Sequence, residues 1–244
     1  VWFRGQVLGI GFLGKVPFLG DFVQEGVCQQ FSEHWEHWLQ AAIAVSKEQL
    51  GAQWQERYLT SPVWHFALSE NLITSSAKKG TLLPSVDAVG RHYPFTVLVD
   101  SDSTPIATLN SNQLSLDYED AVLSVLDDSV DLSLWQKKVM STLKESRSPA
   151  KIFSKSLSPD ENKSAVVFEF QGDELGGGTV DDVLHSLLLN KYGDYSVWWT
   201  HGSIDIKPVV FVTAGLPPVN QVAAMLDGRW QHWEWNYTQV SECE

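Results

Sequence analysis

The 244-residue chain sets 30 Asp and Glu against 17 Lys and Arg, a formal charge of −13, which argues against nucleic acid or an anionic membrane surface as partner. With 43% hydrophobic residues and 11 Trp it can build a sizeable core. Cys28 and Cys243 stand far apart with no C-x-x-C spacing, which excludes a disulfide framework and predicts free thiols in a reducing compartment. No apolar run nears the ~20 residues of a membrane span. No signal peptide is visible, so the expected location is cytoplasmic, without membrane insertion.

The segment Val7 to Val16 mixes apolar residues with glycine and reads as a strand. Gly14-Lys15-Val16-Pro17-Phe18-Leu19-Gly20-Asp21-Phe22 follows. It lacks the glycine spacing and Lys-Ser/Thr of a phosphate loop and reads as a Pro-Gly turn. Ser32 to Leu50 is the best helix of the N-terminal half, with Ser32 as N-cap and Gly51 as terminator. Trp35, Trp38, Leu39, Ala42, Ile43 and Leu50 form its apolar stripe. His34 and His37 have a ligand-compatible spacing but lack an H-E-x-x-H motif, and read as a solvated face.

Gln53 to Leu59 predicts a short helix broken at Ser61-Pro62, and Val63 to Leu68 a strand with His65 on the face opposite its apolar set. Thr81 to Val86 and Tyr93 to Val99 are apolar runs joined by a polar loop, and predict an antiparallel hairpin. The Ser-, Thr- and Pro-rich stretch Ser101 to Asn112 reads as a loop and a joint between two halves. Helices are expected over Asp117 to Leu126 and Leu132 to Leu143. The acidic run around them lacks calcium-loop spacing.

Ser146 to Lys163 reads as a polar loop, and Ala165 to Phe170 as a buried strand. After Gly176-Gly177-Gly178, Thr179 and Asp182 suggest a capping box for a helix over Val180 to Lys191. Its expected core face is Val180, Val183, Leu184, Leu187 and Leu188. Strands are expected at Tyr195 to Thr200 and Pro208 to Thr213, a short helix from Pro217-Pro218 to Gly228, and a last strand carrying Trp230, Trp233, Trp235 and Tyr237. The fold class is α/β (mixed α+β), a mixed, partly antiparallel sheet with helices packed on its faces. One domain is expected over 1–244, with an N-terminal half of about 8–100 and a C-terminal half of about 113–237.

The chemistry concentrates in two glycine-bearing turns, Gly20-Asp21 and Asp87 to Arg91. Glycine there permits close approach or positive φ. The turns are expected to converge, with Arg91 bridging Asp21 and Asp87 through its planar fork. Lys15, Asp21, Ser85, Asp87 and Arg91 are therefore the candidate cluster, either a structural clamp or a partner-recognition site. Ser85 lacks a G-x-S-x-G elbow. A hydrolase built on Ser85, His92 and Asp87 is the weaker alternative, and no spacing rule selects an acid–base pair. The expectation is a non-enzymatic protein with no cofactor and no metal.

Two motifs carry a resemblance. Gly14, Lys15, Pro17, Gly20, Asp21 and Phe22 fit one signature block of the TagF/ImpM family of type VI secretion. Gly80, Leu82, Pro84, Ser85, Asp87, Gly90, Arg91, Tyr93 and Pro94 fit a second, with Phe95 where Leu is usual. Further matches run through Tyr58, Trp64 and Phe66 to Ser196, Trp198, Trp199, Gly202 and Gly215 to Pro218, so the chain resembles the family along nearly all its length. The resemblance implies a cytoplasmic, virulence-associated accessory protein of the secretion system. It further implies a post-translational repressor that acts by binding the forkhead-associated scaffold protein, with other apparatus components as further partners. A structural or assembly role in the apparatus is the other reading.

Overall fold

In the computed structural model, residues 10–111, 114, 116–143 and 179–239 are described. One seven-stranded sheet organises them: β1 (Gly11–Gly14), β2 (Val23–Glu25), β3 (Trp64–Leu68), β4 (Ala77–Leu83), β5 (Phe95–Ser101), β6 (Tyr195–Thr200) and β7 (Val209–Ala214). Their order is β2-β1-β5-β4-β3-β6-β7, and every pairing is antiparallel. The predicted hairpin is its centre, β4 on β5 with Gly80 opposite Leu98.

Side-chain alternation gives the sheet two buried faces. Trp64, Phe66 and Leu68 of β3 join one core, and Ala67 the other. The first face is covered by α1 (Gln29–Leu50), α2 (Trp54–Leu59), α7 (Ala224–Asp227) and the aromatic tail. The second is covered by α3 (Pro105–Asn110), α4 (Leu116–Leu123), α5 (Leu132–Thr142) and α6 (Thr179–Tyr192). His65 lies opposite Trp64 and Phe66, as its alternation predicts, yet it is fully buried because both faces are covered.

The aromatic face is built on Trp35. Its indole meets Phe31, Trp38, Phe66 and Trp198 at centroid distances of 4.8 to 6.0 Å. Its Nε1–H donates to Thr96 Oγ1 of β5 at 2.9 Å, which satisfies the one polar atom of a fully buried ring. The stripe predicted for α1 is buried apart from the half-buried Ile43.

Five local expectations are corrected. The first helix starts three residues early, at Gln29, and Ser32 is not its cap: the hydroxyl is buried inside the first turn and donates to the Gln29 carbonyl. The Ser101 to Asn112 stretch contains α3, because Thr104 caps the Ala107 N–H and Pro105 occupies the first helical position. Helix α6 is rotated from its expected phase. His185 is buried and Leu188, Leu189 and Tyr192 pack on the core, while Val180, Leu184 and Leu187 are exposed.

After Pro217-Pro218 the chain makes turns, and helix forms only at Ala224–Asp227 before Gly228 in the left-handed conformation. The Trp-rich tail forms turns rather than a strand, and Trp230, Trp233 and Trp235 lie against the aromatic core. The strand expected at Ala165 to Phe170, the Gly176 to Gly178 run and Cys243 lie outside the described residues, and Cys28 is exposed. No helix among those described is long and apolar enough to cross a membrane.

Candidate functional site

The two signature turns converge at the end of the central hairpin. Gly14 ends β1 with φ 138°, and a Cβ there would fall 2.4 Å from the Pro94 carbonyl oxygen. Only glycine lets the first block approach the second this closely. Lys15 then points across to Asp87. The Lys15 ammonium donates to Asp87 Oδ2 at 2.6 Å, and the Arg91 Nε–H donates to the same oxygen at 2.6 Å. Oδ1 accepts the backbone N–H groups of Arg91 at 2.8 Å and Val89 at 3.1 Å. The loop closes on itself through Gly90, whose φ of 82° suits a glycine turn.

Asp87 is therefore a buried hub, 3% exposed, with four donors on one carboxylate. Burial alone would push its carboxyl up. The Lys15 ammonium, the Arg91 groups and the Val89 amide outweigh that and hold it well below the usual carboxylate range. Charge-assisted bonds of this kind also fix geometry.

Ser85 plays a different part. Its hydroxyl donates to the Lys15 carbonyl at 2.7 Å, and its backbone N–H and C=O both bond the Tyr58 hydroxyl of α2, at 2.9 and 2.8 Å. Burial raises the Tyr58 phenol above its ordinary range, so it stays protonated. His92 forms a bridge pair with Val86, and its ring meets Trp54 and Tyr58 edge-on at 5.4 Å each. Burial and the nearby Lys47 lower its pKa, with Asp87 opposing. The Ser85–His92–Asp87 set is thus not assembled as a relay here: the hydroxyl serves Lys15, the carboxylate serves two cations, and the imidazole sits in an aromatic pocket.

Four of the five predicted residues meet, and Asp21 does not. It is exposed and makes no ion pair among the described residues. Arg91 still spans both turns, but its second partner is the Gly20 carbonyl oxygen, which accepts from Nη2. The Ala88 N–H donates to the Leu19 carbonyl at 3.0 Å and fastens the turns again. Backbone carbonyls leave no sequence signal, which is why the acid at position 21 looked like the partner.

The fastened turns present apolar tips to solvent. Leu19 is 39% exposed, Phe22 38% and Val89 71%, with the Arg91 side chain 61% exposed beside them. Phe22 packs edge-on against Tyr93 at 5.4 Å, so it is held in place. Exposure of these tips was not legible in the motif spacing.

Residues 11–142, over half of the chain, match the model of the TagF N-terminal domain, type VI secretion system-associated. Among solved structures, that of PA0076 from Pseudomonas aeruginosa PAO1 is similar, with 26% sequence identity and a TM-score of 0.72. The match covers 96% of this chain and 99% of the other. No curated protein sequence matches at a significant level. Both signature turns fall inside the matched residues, and the chain belongs to the family of the type VI secretion-associated TagF N-terminal domain.

Proposed function

We propose that the protein is a cytoplasmic regulator of type VI secretion that represses the apparatus after translation. It does so by binding the forkhead-associated scaffold protein through its two signature turns, without catalysis. The observation that supports this is the pairing of a saturated polar hub with a rigid apolar tip. Asp87 and Arg91 fasten the two turns to each other, and the same turns carry the exposed Leu19, Phe22 and Val89 and the exposed Arg91 side chain. A preorganised apolar and Arg surface is what a hot spot requires, because little order is lost on docking. The choice of partner comes from the family resemblance.

Val89→Asp tests it. The residue is 71% exposed, so melting should be unchanged within about 0.5 kcal/mol. Capture of the forkhead-associated protein should fall by tenfold or more, which corresponds to about 1.4 kcal/mol. Secretion in cells carrying the variant should rise toward the level of a gene deletion. Normal capture and normal repression by Val89→Asp would remove the turns from the interface.

A further inference from the structure

A second polar cluster lies on the opposite face of the sheet from Trp35, away from the signature turns. His65 of β3, Glu119 of α4 and His201 just beyond β6 each offer one ligand atom, and these atoms lie within 4.8 Å of one another. Three separate elements supply them. His65 and Trp199 are register partners across β3 and β6, so His201, two residues on, falls on the same face of the sheet. Helix α4 crosses that face and brings Glu119 down onto it, with Glu119 Oε2 2.9 Å from His65 Nε2.

The surroundings support ligation. His65 is fully buried, and its Nδ1 shares a hydrogen bond with the buried Thr81 hydroxyl at 2.9 Å. That is the outer partner that orients a ligating imidazole and fixes which nitrogen faces the ion. Trp199, Tyr118 and His201 pack around the ring at 5.6 to 6.4 Å, so His65 has no alternative place to turn. The mouth is open: Glu119 keeps 17% of its side chain accessible and His201 is exposed, which leaves an entry path for an ion.

We infer that His65, Glu119 and His201 form a binding site for one divalent transition-metal ion, with zinc the best fit. Two imidazoles and one carboxylate suit zinc, and three protein ligands leave a solvent-side position for water. Tetrahedral bonds of about 2.0–2.1 Å require donors roughly 3.4 Å apart, so the exposed His201 swings inward while His65 and Glu119 stay nearly in place. The ion takes His65 as its Nδ1–H tautomer: the single ring proton donates to Thr81 Oγ1, and the Nε2 lone pair faces the ion beside the Glu119 carboxylate. The bound ion pins α4 and the end of β6 to the sheet centre.

The test uses untagged full-length protein, stripped with a chelator and titrated with zinc by calorimetry and with cobalt by visible absorption. The expected result is one ion per chain, a higher Tm with zinc, and an intense low-coordination cobalt spectrum. His201→Ala, at an exposed position, should keep the fold and weaken zinc binding by more than the roughly 10- to 100-fold that loss of an outer partner costs. The double variant His34→Ala/His37→Ala should bind as the parent does. Failure of the parent to bind zinc, undiminished binding by His201→Ala, or loss of binding in the double variant would each overturn the assignment.

Discussion

Two polar clusters, each built on one buried ionisable side chain, solve the same problem in opposite ways. At Asp87 one carboxylate receives two cations and two backbone amides, so every strong acceptor direction is used. At His65 an imidazole faces one carboxylate and one hydroxyl, with a second, exposed imidazole nearby. The first cluster is closed and stiffens two loops. The second joins three segments with few bonds and opens toward solvent at His201. A saturated hub suits presentation of a fixed surface, and an unsaturated one suits capture.

The comparison breaks most sharply at Asp87→Asn. The variant keeps the shape, removes the charge, and leaves Lys15 and Arg91 beside a neutral amide that must also avoid clashing with the Val89 and Arg91 N–H groups. We expect it to give the largest fall in Tm of any single change at either cluster, and loss of partner capture with it. A melting curve within 1 °C of the parent would mean that the hub does not stiffen the turns.

The two cations should separate next. Lys15 is mostly buried and spends its ammonium on Asp87, so Lys15→Met should cost about 1.5–3 kcal/mol in denaturant unfolding. The Arg91 side chain is 61% exposed, so Arg91→Ala should cost under about 1 kcal/mol, yet weaken partner capture. Equal losses from the two would show that burial does not rank them.

The smallest expected effect is in acid. Asp87 titrates lower in the folded chain than in the unfolded one, so its contribution is fully present above the ordinary value of 3.8. It is lost as pH falls from there toward the folded pKa. Melting curves between pH 5 and pH 2 should therefore drop more steeply for the parent than for Asp87→Asn. Parallel curves would count against a depressed carboxyl.

Much of this frame was readable in the residues. Two apolar runs around a polar loop announced the central hairpin, alternation gave the place of His65, and the α1 stripe marked its buried face. Glycine beside charge marked the turns. The partner of Arg91 was not readable, because the Gly20 carbonyl has no letter of its own. Helix α6 misled for a related reason. Its leucines fit two overlapping faces, and the choice fell to His185, which bonds the Tyr195 hydroxyl from Nδ1 at 2.6 Å and so tolerates burial. The His65, Glu119 and His201 cluster joins residues that only strand order and a helix crossing bring together, and no local period encodes that.

The strand order also has a kinetic side. β3 finds β4 a few residues later, but its other neighbour, β6, is encoded some 130 residues downstream, with Phe66 opposite Trp198. Synthesis of that interval takes on the order of ten seconds. Throughout it the nascent sheet ends at β3, an open edge lined by Trp64 and Phe66 with unpaired amides between them. The same edge is left bare in any fragment that stops at residue 142. Such a fragment would be prone to edge-to-edge association through β3.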